Sequence, residues 1–110
     1  MSEPGYRFHR VAATSEIREG EGLRVTLGEW EIAVFNIEGE FYAIDDVCTH
    51  AYASLSEGFV EGAIIECPLH SGRFEIKTGR AVAAPCTIDL RTYVVRREDD
   101  SIFVGIPVAE

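Results

Sequence analysis

Cys48-Thr49-His50 and Cys67-Pro68-Leu69-His70 are two short segments that each begin with a cysteine and end with a histidine. Their patterns are C-x-H and C-x-x-H, and residues 51–66 separate them. Thiolate and imidazole groups are ligands for zinc and for iron. The two segments together therefore predict a metal site with the ligands Cys48, His50, Cys67 and His70.

Two kinds of metal centre use two cysteines and two histidines. Structural zinc takes four such ligands in a tetrahedron, and they usually come in like pairs, C-x2-4-C or H-x3-5-H. In one type of [2Fe-2S] centre, two cysteines hold one iron and two histidines hold the other. Each segment here supplies one ligand of each type, so the spacing favours the iron-sulfur centre. A structural zinc-binding module is the alternative.

The residues around the ligands carry a resemblance to a known family. C-T-H-A-x-A at 48–53, C-P-L-H-S-G at 67–72 and the run at 73–81 resemble the Rieske ferredoxins of bacterial aromatic ring-hydroxylating dioxygenases, and the similarity covers nearly the whole chain. The resemblance implies one [2Fe-2S] cluster per chain. It places Cys48 and Cys67 on the inner iron, and His50 and His70 on the outer iron.

The same resemblance implies a soluble one-electron carrier rather than an enzyme. Its partners would be a flavin-dependent NAD(P)H ferredoxin reductase and a terminal oxygenase with its own Rieske centre. A Rieske-type small subunit of a nitrite reductase is the alternative with a similar motif.

The chain differs from the Rieske proteins of quinol-oxidising complexes at four positions. Those proteins carry a disulfide where this chain has Ala53 and Leu69, and hydroxyl groups where it has Gly72 and Phe74. Hydrogen bonds to cluster sulfurs stabilise the reduced state and raise the potential. Their loss predicts a low-potential centre.

Two residues of ligand type remain outside the predicted site. Cys86 follows Pro85 and has no histidine at matching spacing, so it is interpreted as a small buried thiol. His9 lies in an amphipathic run and is predicted to be a surface strand residue.

The net charge of -9 is unevenly distributed. Between Arg24 and Arg73 there is no Lys or Arg, whereas the segment contains nine acids: Glu29, Glu31, Glu38, Glu40, Asp45, Asp46, Glu57, Glu61 and Glu66. An acidic face would steer encounter with basic partners, although solubility alone also explains such charge. The charge argues against binding to nucleic acid and to anionic membranes.

At 110 residues, the chain is predicted to be a single Rieske domain, 1–110. No apolar leader, twin-arginine signal or membrane-length apolar run is visible, and two of the three cysteines are assigned to metal. These features favour a cytoplasmic protein without a membrane anchor.

Residue patterns predict an all-β fold, an antiparallel β-sandwich with a small cluster-binding subdomain of loops at one end. Alternating and β-rich runs predict strands at 6–12, 23–27, 29–37, 40–45, 63–66, 73–76, 93–98 and 101–106. Turn residues at 38–39, 77–79 and 99–100 predict hairpins, and 14–19 is predicted to be a short helical turn.

Overall fold

The computed structural model describes residues 2–3, 5–47, 53–69, 72–83 and 88–108. Three predicted ligands, Cys48, His50 and His70, lie outside these ranges, as does Cys86.

Strands dominate the described part of the chain, in which there is no α-helix. The strands are β1 Ser2–Glu3, β2 Tyr6–Ala13, β3 Gly22–Leu27, β4 Trp30–Ile37, β5 Glu40–Asp45, β6 Phe59–Glu61, β7 Ile64–Glu66, β8 Arg73–Glu75, β9 Ala81–Ala83, β10 Thr92–Glu98 and β11 Ser101–Pro107. Two short 3₁₀ helices, Thr14–Glu16 and Leu55–Glu57, accompany them. The all-β prediction is confirmed.

The strands form two antiparallel sheets. A seven-stranded sheet has the order β1-β2-β11-β10-β5-β4-β3, and a four-stranded sheet has the order β6-β7-β8-β9. The small sheet contains the hairpin from β7 to β8, within which Cys67 and His70 lie in sequence.

Strand β4 joins the two cores of the protein because it is buried on both faces. Its residues Ala33, Phe35 and Ile37 belong to a cluster shared with the small sheet. Its alternate residues Ile32 and Val34 pack in a second cluster inside the large sheet. Successive side chains of a strand point to opposite faces, which explains why the sequence of β4 is apolar almost throughout.

All eight predicted strands are present, each within one residue at either end. The turns at 38–39 and 99–100 are confirmed, and Glu38 and Asp99 adopt positive φ values of 55° and 54°, as tight hairpin turns require. The predicted helical turn at 14–19 is shorter, a 3₁₀ helix at Thr14–Glu16.

Three strands were missed, β1, β6 and β9. Each has only two or three residues, too few to show an alternating pattern, and β9 is rich in alanine, which has low β propensity.

None of the helices that the structure describes has the length and apolar character needed to cross a membrane.

Candidate metal centre

The second predicted ligand segment lies in the hairpin between β7 and β8. Glu66 and Arg73 face each other as the last pair of this hairpin, and the backbone N–H of Cys67 donates to the carbonyl of Gly72 at 2.9 Å. Cys67 and Gly72, which begin and end this segment, therefore lie next to each other. The Cys67 side chain is buried, with 1% of its surface exposed, whereas Leu69 nearer the tip is 67% exposed.

An exposed ion pair accompanies this backbone pairing. Nε of Arg73 lies 2.9 Å from Oε1 of Glu66. Both side chains are partly exposed, at 47% and 30%. Solvent screens such a pair, so the loop depends mainly on the strand pairing for its position.

The first predicted ligand segment is also closed at its base, but by different contacts. After β5 ends, Val47 and Ser54 form an isolated antiparallel bridge. The N–H of Leu55 donates to the carbonyl of Asp46 at 2.7 Å. The residues on either side of Cys48 and His50 in the sequence, Val47 and Ser54, thus lie next to each other.

The bases of the two loops pack on each other. Ala53 and Leu55, just after the first loop, belong to the same buried cluster as Cys67 and Phe74. The backbone of Gly58 also approaches the second hairpin so closely that a Cβ there would lie 2.3 Å from the carbonyl oxygen of Glu66. The described residues that flank the two predicted ligand segments therefore lie together at one end of the small sheet.

Asp46 is a buried charged residue that sequence reasoning misplaced. The charge distribution along the sequence places it among the acids of a possible docking face, yet only 1% of its surface is exposed. Its Oδ2 accepts a hydrogen bond from the Ser54 hydroxyl at 2.6 Å, and its Oδ1 accepts one from the Ser56 N–H at 2.9 Å. The nearest sequence signal is the S-x-S spacing after the loop, which is common in turns and could not identify Asp46 as their partner.

The preceding residue, Asp45, is bound to another side chain. Its Oδ1 accepts a hydrogen bond from the Tyr93 hydroxyl at 2.5 Å. Burial, followed by this hydrogen bond to a carboxylate, raises the pKa of Tyr93 well above its usual range. The phenol therefore stays protonated and joins β5 to β10 just before the first ligand loop.

The acids of the base-free segment do not form a single free face. Glu31 pairs with Arg24, and Glu66 pairs with Arg73, in addition to the buried Asp46. Of the exposed acids, Glu57 is the last residue of the 3₁₀ helix that follows the first ligand loop. Glu61, by contrast, lies at the end of β6 away from the second loop, because Phe59 is the residue that pairs with Glu66.

The other singled-out side chains lie on strands of the large sheet. His9 lies in β2 and is partly buried, so it is less exposed than predicted. Trp30 packs edge-on against Tyr93, with ring centroids 6.1 Å apart, and the Arg91 guanidinium lies 4.8 Å from its centroid. These contacts make Trp30 a packing residue of the large sheet.

The described surroundings fit a bound metal cluster. A buried cysteine at the start of a closed loop can serve as a thiolate ligand shielded from water, and the neighbouring core is apolar. The two cysteines and two histidines are also a donor set that binds zinc or iron.

Comparison with known proteins distinguishes these possibilities. The model of the Rieske [2Fe-2S] domain family matches residues 7–94. The ferredoxin component of a naphthalene 1,2-dioxygenase system from Pseudomonas aeruginosa is 48% identical over 96 residues, which cover 87% of this chain and 92% of that protein.

Solved structures share the fold. One belongs to a complex of reduced oxygenase and oxidized ferredoxin in carbazole 1,9a-dioxygenase; its matched chain has a TM-score of 0.86 and 37% identity, with coverage of 94% of this chain and 97% of that one. A putative NADH-dependent nitrite reductase small subunit from Mycobacterium tuberculosis has a TM-score of 0.84 at 20% identity, covering 94% and 98%. The second likeness shows the fold alone.

Proposed function

Because the chain belongs to the Rieske [2Fe-2S] family, we propose that it is the ferredoxin component of an aromatic-ring dioxygenase system. Its cofactor is one [2Fe-2S] cluster, and it is an electron carrier rather than an enzyme. In the proposed system it receives single electrons from a flavin-containing NAD(P)H ferredoxin reductase. It then passes them to the Rieske centre of a terminal oxygenase. The identity to a naphthalene dioxygenase ferredoxin is the observation that carries the proposal.

The proposed ligands are Cys48 and Cys67 for one iron and His50 and His70 for the other. Cys67 is buried and Leu69, beside His70, is exposed, which supports an inner cysteine side and an outer histidine side. When bound, the cluster accepts and releases one electron at a potential that its histidine ligands raise relative to an all-cysteine cluster. The chain holds the ligands on two closed loops and shields the cysteine side from water.

Exposed apolar side chains at the ligand end support docking of the partners there. Leu69 is 67% exposed and Val82 is 43% exposed. Val82 lies in β9, which pairs with β8 beside the second ligand loop. Apolar groups at an exposed tip favour protein contact because association removes them from water.

We extend the proposal to three further properties. The chain forms one Rieske domain, acts in the cytoplasm, and binds neither nucleic acid nor membranes. The net charge of -9 supports the exclusion of phosphate-rich partners.

Reconstitution tests the proposed function directly. A naphthalene 1,2-dioxygenase system without its own ferredoxin should regain product formation when this protein is added to its reductase and oxygenase. Rescue should be lost with His70→Ala. A protein that gives no rescue, yet restores electron flow in a nitrite reductase lacking its small subunit, would replace the proposal with the nitrite reductase alternative.

Charge reversal tests the docking end. Glu57→Lys should slow electron transfer from the reductase severalfold at low salt, because Glu57 is exposed beside the ligand loops, and added salt should reduce the difference. Glu61→Lys is the matched control, since this residue lies at the other end of β6. Equal effects of the two changes would show that overall charge, not the ligand end, sets the rate.

A further inference from the structure

The strongest unassigned feature of the protein is the carboxylate of Asp46, buried two positions before Cys48. Burial of a charge is costly unless hydrogen bonds and an opposite charge compensate it. Asp46 has both kinds of partner. A buried carboxylate that needs such partners, two positions before a proposed ligand, does not serve merely as a surface charge.

Hydrogen bonds of Asp46 connect three parts of the chain. Its backbone N–H donates to the carbonyl of Glu31 in β4 at 2.9 Å, which continues the pairing of β5 with β4 one residue beyond the end of β5. Its carboxylate accepts from the Ser54 hydroxyl and from the Ser56 N–H, and its carbonyl accepts from the Leu55 N–H. One residue thus holds the far end of the first ligand loop against its near end.

A cation balances the buried charge. Nε of Arg24, in β3, lies 3.6 Å from Oδ2 of Asp46, and the same guanidinium also pairs with Glu31. The hydrogen bond that Arg24 donates to Glu31, with smaller contributions from nearby acids including Asp46, raises the pKa of Arg24. The guanidinium therefore remains charged beside the carboxylate.

We propose that Asp46 is a positioning residue for the cluster. The buried carboxylate of Asp46 fixes the loop that contains Cys48 and His50. The charges of Asp46 and Arg24 together set the electrostatic potential at the cluster. This inference rests on the proposed function, because it requires the cluster to be bound by that loop. The loop function follows from the hydrogen bonds, and the charge function follows from Coulomb interaction with the electron added on reduction.

Two substitutions of Asp46 separate these functions. Asp46→Ala removes the acceptor atoms, so we expect iron loss to a chelator to become about tenfold faster and the EPR line shape of the reduced protein to change. Asp46→Asn keeps an acceptor for the Ser56 N–H and removes the charge. It should retain most of the cluster while its equilibrium constant for reduction rises about threefold, roughly 30 mV at 59 mV per tenfold for one electron.

Arg24→Gln should shift the reduction potential in the direction opposite to the shift expected for Asp46→Asn. It leaves the Asp46 carboxylate in place and removes the balancing cation, so the equilibrium constant for reduction should fall about threefold. Asp100→Asn is the matched control for the loss of a carboxylate, because Asp100 is exposed in the turn between β10 and β11. It should change neither the potential nor iron retention.

The outcomes are distinguishable. Wild-type iron retention, EPR line shape and potential in both Asp46 variants would overturn the inference. Potentials that move the same way in Asp46→Asn and Arg24→Gln would overturn its electrostatic part. Should Asp46→Ala not fold, Ser54→Ala removes the hydrogen bond to Asp46, together with the one between the Ser54 and Ser56 hydroxyls, and should still accelerate iron loss. A wild-type protein without the cluster would refute the proposed function itself.

Discussion

The described residues that flank the two ligand loops lie at one end of the small sheet, but different interactions hold the base of each loop. The second loop closes a regular hairpin, with strand pairs on both sides and an exposed ion pair between Glu66 and Arg73. The first loop has an isolated bridge at its base, where the buried Asp46 also accepts hydrogen bonds from Ser54, Leu55 and Ser56. One loop is therefore held by repetitive backbone pairing, and the other by a specific polar network. We expect the first loop to be the more sensitive to single substitutions of residues that are not ligands.

Removal of a proposed ligand should have the largest effect, and it should be equal in both loops. His50→Ala and His70→Ala should each abolish the EPR signal of the reduced centre, because each iron needs both of its protein ligands. Cys86→Ser is the control and should leave the signal intact. Loss of the signal in that variant would mean that the third thiol, not one of the four proposed residues, takes part in ligation.

Gly58→Ala should break the contact between the two loop bases. Its new Cβ would meet the carbonyl oxygen of Glu66 at 2.3 Å, so the backbone must shift, and we expect a loss of about 1–3 kcal/mol in the free energy of unfolding. Urea denaturation of the holoprotein measures this loss.

Gly105→Ala is the matched control for that change. Its Cβ would meet only the edge of the Phe8 ring, at 3.0 Å, on strands away from the ligand loops. It should not accelerate iron loss, whereas Gly58→Ala should. If both variants lost iron equally, packing of the two loop bases would not matter for the cluster.

Phe74→Tyr tests the second loop as a determinant of potential. Phe74 is fully buried in the same cluster as Cys67, and a new hydroxyl that donates to a sulfur would stabilise the reduced state by about 1 kcal/mol. The midpoint should therefore rise by roughly 40 mV from a wild-type value of about -150 mV. Phe8→Tyr, on β2, should leave it unchanged. A wild-type midpoint above zero would contradict the low-potential assignment.

The smallest effect is expected from Glu66→Gln. The Glu66–Arg73 pair is partly exposed, so its loss should cost no more than about 1 kcal/mol in the free energy of unfolding. Iron retention should stay at the wild-type level, in contrast to Asp46→Ala. If Glu66→Gln released iron as fast as Asp46→Ala, the distinction between the two loop bases would be wrong.

The sequence predicted strands with a regular apolar pattern, but it did not predict features that depend on contacts between residues far apart in the chain. Strands such as β4 and β5 show apolar patterns with a clear turn between them, so their bounds were found within one residue. The same local patterns could not show that Asp46 is buried, because its Arg24 partner lies on another strand. The missed strands β6 and β9 are short, and tertiary pairing determines them more than propensity does.

The candidate site was predicted from ligand types and spacing alone. The structure describes only Cys67 among the four, and its burial agrees with a ligand role. The contacts at the base of each loop could not be predicted. They join residues such as Gly58 and Glu66, and no periodic pattern in the sequence shows that these residues are close in space.

EPR spectroscopy of the dithionite-reduced wild-type protein, with iron, zinc and sulfide analysis of the same sample, tests the central claim most directly. We expect a red-brown protein with about two irons and two sulfides per chain and the signal of a [2Fe-2S] centre with mixed histidine and cysteine ligation. A colourless protein that holds one zinc per chain and gives no signal would contradict it.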